Sequence, residues 1–517
     1  MSERCKQLCS AEEAVAAVPD GATLACSGFV GAGHPEALSA ALEQRFLNTG
    51  APRNLTLVYA AGQGDGKKRG LNHLAHEGLL KRVIGGHWGL CPELGRLALD
   101  GRIEAWNLPQ GVLCHLFRDI AAGRPGTVTD VGLGTFIDPL NDGGRLSDKS
   151  DEQLVERIEI RGRQFLLYHS FPIHAAFIRA TAADPWGNLV MDREAVIGDV
   201  LPLAQAAHNH GGPVIAQVEQ LLDGPCPPQA VRVPGCLVSH LVIAPPAQHW
   251  QTFGTEFQAE FHSAERRASP DLSAAAAEIR SDGKDARRII AERAARELRR
   301  GDIVNLGIGL PEGIAEVAQE RGLLQRVTLT VESGPIGGKP AGGLDFGAAW
   351  NPRAIIDQPS QFDFYDGGGL DFAALGAAEV DAEGNVNVSR FGSRFAGVGG
   401  FVNISQKARR LVFCGTFTTG GLDVCWQKDG LKIRTEGSVA KFVKSVQQIS
   451  FSGRIAAASD RDVLFVTERA VFRLTTAGLE LIEIAPGIDL ERDVFAQMGF
   501  RPIVNRPALM TLSGESE

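Results

Sequence analysis

Short apolar runs, each closed by a glycine-rich turn, alternate with stretches of helical periodicity along this chain of 517 residues. Gly21 to Ser27 predicts a strand. It runs into Gly28-Phe29-Val30-Gly31-Ala32-Gly33-His34-Pro35-Glu36, a glycine loop ending where a helix begins, with Pro35 at the first helical position. Ala37 to Phe46 continues that helix, and Leu55 to Ala60 predicts the next strand. Ahead of this unit, Ser10 to Val18 reads as a short helix capped by Ser10, with Glu12 and Glu13 in its first turn. Strand, glycine loop, helix and strand in that order is the pattern of a parallel sheet covered by helices.

The same order returns in the second half. Gly301 to Leu306 predicts a strand, Gly307-Ile308-Gly309-Leu310-Pro311-Glu312 a glycine loop, Gly313 to Glu320 a helix, and Val327 to Val331 a strand. Gly21 aligns with Gly301, and Pro35-Glu36 with Pro311-Glu312. An internal duplication into two domains of one fold follows. The expected class is α/β: two similar domains, each with a mainly parallel sheet flanked by helices. The alignment sets Ala60 opposite Glu332, so only the second copy carries a carboxylate at this strand end.

Between the repeats, Asn107 to Gly111 and Gly132 to Pro139 read as loops, Ala183 to Asn188 as a turn, and Val214 to Val218 and Leu237 to Ile243 as buried strands. His262 to Arg287 is rich in Ala, Ser and charge and has no strand signal. The expected division is residues 1–265 as one domain, 266–286 as linker, and 287–517 as a second domain that carries Glu332. Helix is predicted over Arg288 to Arg299, and strand over Arg410 to Phe413 and Val463 to Thr467.

Hydrophobic residues make up 44% of the chain and charged residues 22%, an ordinary globular balance. The net charge of −9 comes without a basic block, which argues against a nucleic-acid partner. No apolar run approaches the ~18 residues of a membrane span. The nine cysteines show no C-x-x-C spacing, so reduced thiols in a cytoplasmic protein are expected. No metal site is expected: His208 and His210, the densest His pair, would point to opposite sides of a strand.

Several chemistries can be weighed on residues alone. Gly307-x-Gly309 opens a helix and Glu332 lies 25 residues beyond Gly307, as in a dinucleotide fold, but Glu312 stands where the third glycine should be. A carboxylate there would oppose a pyrophosphate. Gly338-Lys339 is followed by Pro340, which breaks the phosphate-loop pattern, and no G-x-S-x-G elbow is present. Glu332-Ser333-Gly334 closes a buried strand, where α/β folds keep their ligand crevice. A desolvated carboxylate can attack an activated carbonyl if fixed donors stabilise the oxyanion. The Gly397 to Gly400 loop and the Gln110 amide are candidate donors.

These segments together resemble family I coenzyme A transferases. The residues that carry the resemblance are Asn305-Leu306-Gly307-Ile308-Gly309-Leu310-Pro311, Glu332-Ser333-Gly334, Pro109-Gln110-Gly111 and Gly397-Val398-Gly399-Gly400. It runs from Gly28-Phe29 to Thr467-Glu468-Arg469-Ala470-Val471-Phe472, and looks nearest to the single-chain acyl-CoA:acetate/3-ketoacid type. The resemblance implies Glu332 as the catalytic nucleophile, Asn305 as its orienting neighbour, and Gln110 with Gly399 and Gly400 as the oxyanion site. Gly33, Gly307, Gly309, Gly397, Val398, Phe29 and Phe401 would contact the thioester substrate. It further implies ping-pong transfer of coenzyme A from a short-chain acyl-CoA to a small carboxylate, no metal or redox cofactor, and a homodimer or homotetramer. A thioesterase on the same fold and a dinucleotide oxidoreductase stand as alternatives.

Overall fold

The structure is a computed structural model that describes residues 7–263, 284–392, 394–459 and 461–512. Cys5, most of the 266–286 linker and the last five residues lie outside the described residues. Two compact units emerge. The first holds the described residues within Met1–Arg267, together with Val331–Asp363 and Gly392–Asn403. The second holds those within Ala268–Thr330, Phe364–Phe391 and Ile404–Glu517. The second half of the chain does not stay together: two of its segments, including Glu332, cluster with the first unit. Close packing and hydrogen bonding, rather than chain order, define these units.

The first unit is built on eight parallel strands: β1 (Gln7–Leu8), β2 (Thr23–Cys26), β3 (Leu55–Tyr59), β4 (Leu80–Gly85), β5 (Glu104–Asn107), β6 (Ala175–Arg179), β7 (Val214–Val218) and β8 (His240–Ile243). Their order is β1-β8-β7-β6-β2-β3-β4-β5. Every residue of β6 and β7 is buried, as a parallel sheet covered on both faces requires. Helix α1 (Ala11–Val15) begins in a reciprocal capping box between Ser10 and Glu13. Helix α2 (Glu36–Thr49) follows β2, with Pro35 at its cap, and ends at Gly50 in the left-handed region. From β2 the order continues to β3 on one side and to β6 on the other, so the Gly28–His34 loop leaves the sheet at its topological switch point.

Two further helices of this unit matter below. Helix α3 (Gln110–Ala121) starts directly after Pro109, so Gln110 and Gly111 are helical rather than loop. Helix α4 (Val200–Asn209) contains His208, and His210 caps it by bonding Ala206 O at 2.8 Å. The His pair therefore sits at a helix end, not on a strand, because the apolar run Val200 to Ala207 has helical period.

The second unit repeats the plan with β9 (Ile303–Leu306), α5 (Glu312–Glu320) and β10 (Thr328–Thr330). Beyond β9 lie β11 (Phe372–Gly376), β12 (Arg410–Cys414) and β13 (Asp462–Val466), all parallel to it. Strands β14 (Ala470–Thr475) and β15 (Gly478–Ile484) turn antiparallel, and β16 (Ile503–Leu509) closes the edge. Here too β9 is the switch point, and Gly307 follows it. Each unit has its own apolar core, one gathered around Leu24, Leu57 and Phe177, the other around Val304, Phe372 and Val412. Among the described residues no cysteine forms a disulfide, and no helix is long and apolar enough to cross a membrane.

The duplication extends to single hydrogen bonds. Asp184 accepts the Trp186 and Asn188 N–H groups and the Asn188 side chain, and Asn188 Oδ1 accepts the Gly235 N–H at 2.8 Å. Asp381 accepts the Glu383 and Asn385 N–H groups and the Asn385 side chain, and Asn385 Oδ1 accepts the Gly453 N–H at 2.9 Å. In each copy a D-x-x-G-N turn ties a hairpin to a later segment. Asn385→Ala should leave the Gly453 N–H without its acceptor and cost about 1–3 kcal/mol, read as a lower denaturant midpoint with an unchanged slope.

Arg179 ends β6 beside the Gly28–His34 loop. It bonds Trp250 O at 2.7 Å and pairs with Glu194 at 3.1 Å, both side chains buried. Burial pushes the Glu194 carboxyl up, but the Arg179 charge and the bonds from His249 and Arg179 outweigh it and hold it at about 2, below its ordinary 4.5. A depressed carboxylate stabilises the fold fully above the unfolded value and loses that contribution as pH falls toward the folded one. Acid unfolding should therefore steepen between pH 4.5 and about 2. In Glu194→Gln that segment should flatten, with a neutral-pH loss of about 3–5 kcal/mol from the uncompensated Arg179.

Candidate active site

Glu332 follows β10 directly and stands on a tight turn. The Gly334 N–H donates to Val331 O at 3.0 Å and the Val331 N–H to Pro335 O at 3.0 Å, so Glu332 and Ser333 form the corner. Ser333 Oγ donates to Gly347 O at 2.5 Å. Gly334 has φ of 126°, and any Cβ there would strike Ile356 O. Its carbonyl accepts the Ile356 N–H at 3.1 Å, which fastens the turn to the strand Ala354–Ile355. Val331 packs with Phe29, Val30, Ala61 and Phe346. The Glu332 carboxylate is thus carried on a rigid corner and is 9% exposed, desolvated but not sealed.

Gln110 opens α3 and is 2% exposed. Its backbone N–H donates to Gly399 O at 3.0 Å, and the Gly111 N–H donates to Asn403 Oδ1 at 3.2 Å. A Cβ on Gly399 would stand 3.5 Å from Gln110 Oε1, so the carboxamide lies over the glycine loop. Its Nε2 is buried and has no hydrogen-bond partner among the described residues. A buried donor left unmet costs about 1–3 kcal/mol, and such atoms concentrate where a ligand completes them.

The glycine loop is fixed by backbone groups of the early strands. The Gly399 N–H donates to Gly86 O at 2.8 Å, and the Trp88 N–H to Ala396 O at 2.7 Å. The Val398 N–H donates to Asn107 Oδ1 at 3.0 Å, while Asn107 Nδ2 donates to Gly85 O at 2.9 Å. Gly397 and Gly399 both take positive φ, and a side chain on Gly397 would meet Trp88 and His87. The Gly399 N–H is therefore occupied in holding the loop, and Gly400 follows it into the helix that starts at Phe401.

The remaining sequence candidates divide. Phe29 is a core residue, 3% exposed, with its ring centroid 5.4 Å from that of Phe346. Gly33 has φ of 68° in the loop after β2. That loop is held by His34, which bonds Gln63 at 2.7 Å and Ser39 at 3.0 Å. Glu332, Gln110, Phe29, Gly33 and Gly397 to Phe401 thus belong to the first unit. Asn305, Gly307 and Gly309 belong to the second. Asn305 Nδ2 reaches Thr330 O and the Tyr365 hydroxyl, each at 3.4 Å, and that hydroxyl donates to Thr330 Oγ1 at 2.8 Å. The residue two places before Glu332 is thereby fixed. The Gly307 N–H donates to Ala374 O at 2.8 Å, and Gly309 takes φ of 87°.

Sequence reading missed helix α6 (Gln358–Asp366) and its two glutamines. Pro359 in its first turn was the available signal. Gln358 and Gln361 are completely buried, and neither amide atom of either side chain has a partner among the described residues. Asp199, which precedes α4, is buried with Oδ1 unpartnered, and burial lifts its carboxyl to about 7.

Known proteins share much of this sequence and fold. The family model described as Coenzyme A transferase matches residues 9–244. The caffeate CoA-transferase of Acetobacterium woodii is 42% identical, covering 96% of this chain and 94% of the relative. The acetate CoA-transferase YdiF of Escherichia coli (strain K12) is 42% identical, covering 96% and 92%. A crystal structure of the acyl-CoA transferase YdiF from E. coli O157:H7, a thioester complex with CoA, superposes with a TM-score of 0.91 at 40% identity, covering 98% of this chain and 96% of that one. With relatives so similar over nearly its whole length, the chain belongs to the coenzyme A transferase family and is a CoA-transferase enzyme.

Proposed function

We propose that the enzyme moves coenzyme A between short-chain acids by a ping-pong reaction in which Glu332 becomes a glutamyl-CoA thioester. The observation that carries this is the unspent, buried Gln110 Nε2. Two short steps join it to Glu332: Phe362 packs on Gly111, and Ile356, between the strand Ala354–Ile355 and α6, bonds Gly334. Glu332 attacks the acyl-CoA carbonyl, forming a mixed anhydride and releasing CoA thiolate. The thiolate attacks the Glu332 carbonyl carbon, which yields the thioester and frees the first acid. The acceptor carboxylate then runs the steps in reverse and leaves as a new acyl-CoA. Each addition places negative charge on a carbonyl oxygen, where Gln110 Nε2 and the Gly400 backbone serve as donors. Asn305 holds Thr330 and so the approach to the turn.

Every step is an acyl transfer at carbon, and this chemistry needs no redox or metal cofactor. Among the described residues no cluster of His, Cys, Asp and Glu is placed to hold a metal. Acetate, propionate, butyrate and acetoacetate are the acceptor class. The names of the two relatives, an acetate and a caffeate CoA-transferase, support carboxylic acids as a class. A cytoplasmic homodimer or homotetramer completes the reading, and the described cysteines, none in a disulfide, suit a reducing compartment.

Intact mass after acetyl-CoA without acceptor should show wild-type protein heavier by one CoA minus water, an adduct erased by acetate and absent from Glu332→Ala. Transfer persisting in that variant would remove the proposal. Steady release of CoA without acceptor would instead mark a thioesterase. Glu332→Asp should lose at least ~100-fold in kcat, because one methylene less draws the nucleophile back from its donors. Gln110→Ala should lower kcat by about 10²–10³, with a smaller change in KM, measured in steady-state transfer assays.

A further inference from the structure

His87 stands between Gly86 and Trp88, whose backbone groups bond Gly399 and Ala396 and so hold the glycine loop. Its ring takes no part in that bonding. Among the described residues no hydrogen bond or charged group reaches the imidazole, and the side chain is half-buried rather than sealed. Glycines make room for it. A Cβ on Gly62 would stand 2.5 Å from His87 Nδ1, and one on Gly89 3.1 Å from Cε1 and 3.4 Å from Nε2. Neither glycine takes a positive φ, so what the missing side chain supplies is space, not backbone freedom. On the loop side, a Cβ on Gly399 would lie 3.5 Å from Gln110 Oε1 and 3.8 Å from His87 Cδ2. The Gln110 carboxamide and the imidazole therefore border the same point above Gly399. The ring also lies toward the nucleophile's turn. Gly62 and Gly89 are next in sequence to Ala61 and Leu90, which pack in one apolar cluster with Val331, the residue before Glu332.

Burial alone holds His87 at about 4, below its ordinary 6.5, so the ring is neutral near pH 7. A neutral imidazole carries one N–H and keeps it. It can bond an anion without protonating it, which an imidazolium cannot promise. Attack of Glu332 on an acyl-CoA makes such an anion. The electron pair of the C–S bond goes to sulfur, and the thiolate must stay unprotonated until it bonds the Glu332 carbonyl carbon and the anhydride C–O bond breaks. In the tetrahedral intermediate that precedes release, oxygen and sulfur sit on one carbon. With Gln110 on the oxygen, the donor beside Gln110 meets the sulfur. We propose that the His87 Nε2–H bonds the coenzyme A sulfur and holds it as a thiolate between the two acyl transfers. The inference rests on the glutamyl thioester reading and gives that reading a further catalytic residue. Without the bond the thiolate escapes more often. Water then splits the anhydride into two carboxylates, and one of the two protons released goes to the thiolate, so transfer becomes hydrolysis.

The test supplies acetyl-CoA and propanoate and follows free CoA and propanoyl-CoA together. His87→Phe keeps a ring without an N–H, and His87→Gln keeps an N–H near the place of Nε2. His87→Phe is expected to raise the ratio of free CoA to propanoyl-CoA at least tenfold and to lower kcat more than it changes KM, and His87→Gln to recover most of both losses. A ratio in His87→Phe equal to that of the wild type overturns the inference, as does a His87→Gln variant no better than His87→Phe. A limb in the wild-type kcat profile near pH 6.5 that is missing from His87→Gln would mark a proton carrier and overturn it too. Intact mass separates this inference from the reading beneath it. A glutamyl-CoA adduct with an unmoved ratio removes only the role of His87, whereas transfer that persists in Glu332→Ala removes both. Should His87→Phe fail to fold, His87→Ala beside His87→Gln makes the same comparison.

Discussion

Hydrogen bonds between the ends of β4 and β5 and the Gly397–Gly400 loop are the constraint on which the site depends. Gly86 O, Asn107 Oδ1 and the Gln110 N–H all bind a loop almost three hundred residues later in the chain. Because these groups are already paired, they cannot relax toward a substrate, and the loop cannot drift from α3. What remains is the Gln110 carboxamide, with a donor that no described residue uses. A fixed scaffold with one unspent donor is what electrostatic stabilisation of an oxyanion needs, since the reorganisation cost is met on folding.

The duplication explains both the likeness and the division of labour. Each unit has a glycine loop at the switch point of its sheet, and each has the same D-x-x-G-N turn with the same hydrogen bonds. Yet at the end of the third strand of the first unit stand Ala60 and Ala61, while at the matching place in the second copy stands Glu332. The second copy supplies the carboxylate but does not keep it. Its turn leaves β10 and packs with Phe29, Val30 and Ala61 of the first unit.

Buried polar groups divide by the partners they keep. Arg179 and Glu194 pair with each other, and Arg179 also bonds Trp250 O, which holds the switch-point loop. The Gln110 carboxamide is equally buried, and its Nε2 has no partner among the described residues. A buried ion pair holds the fold, whereas a fixed donor left unmet is available to a developing charge.

The sequence by itself determined the α/β class, the repeated strand–glycine loop–helix–strand unit and the singular carboxylate of Glu332. Apolar period and glycine positions report local backbone geometry, which needs no distant partner, and Val214–Val218 was legible to the residue for that reason. The motif resemblance also named Gln110 and the Gly397–Gly400 loop. Only tertiary structure decided that Val331–Asp363 and Gly392–Asn403 join the first unit, that Gln110 opens a helix, and that Gly399 spends its N–H on Gly86. It also decided that Phe29 is core and that the Gln358 N–H, at the start of α6, bonds Gly198 O ahead of α4. These are facts about which groups lie beside one another across long stretches of chain. A hydrogen bond made or left unmade depends on that neighbour, and no local pattern records it.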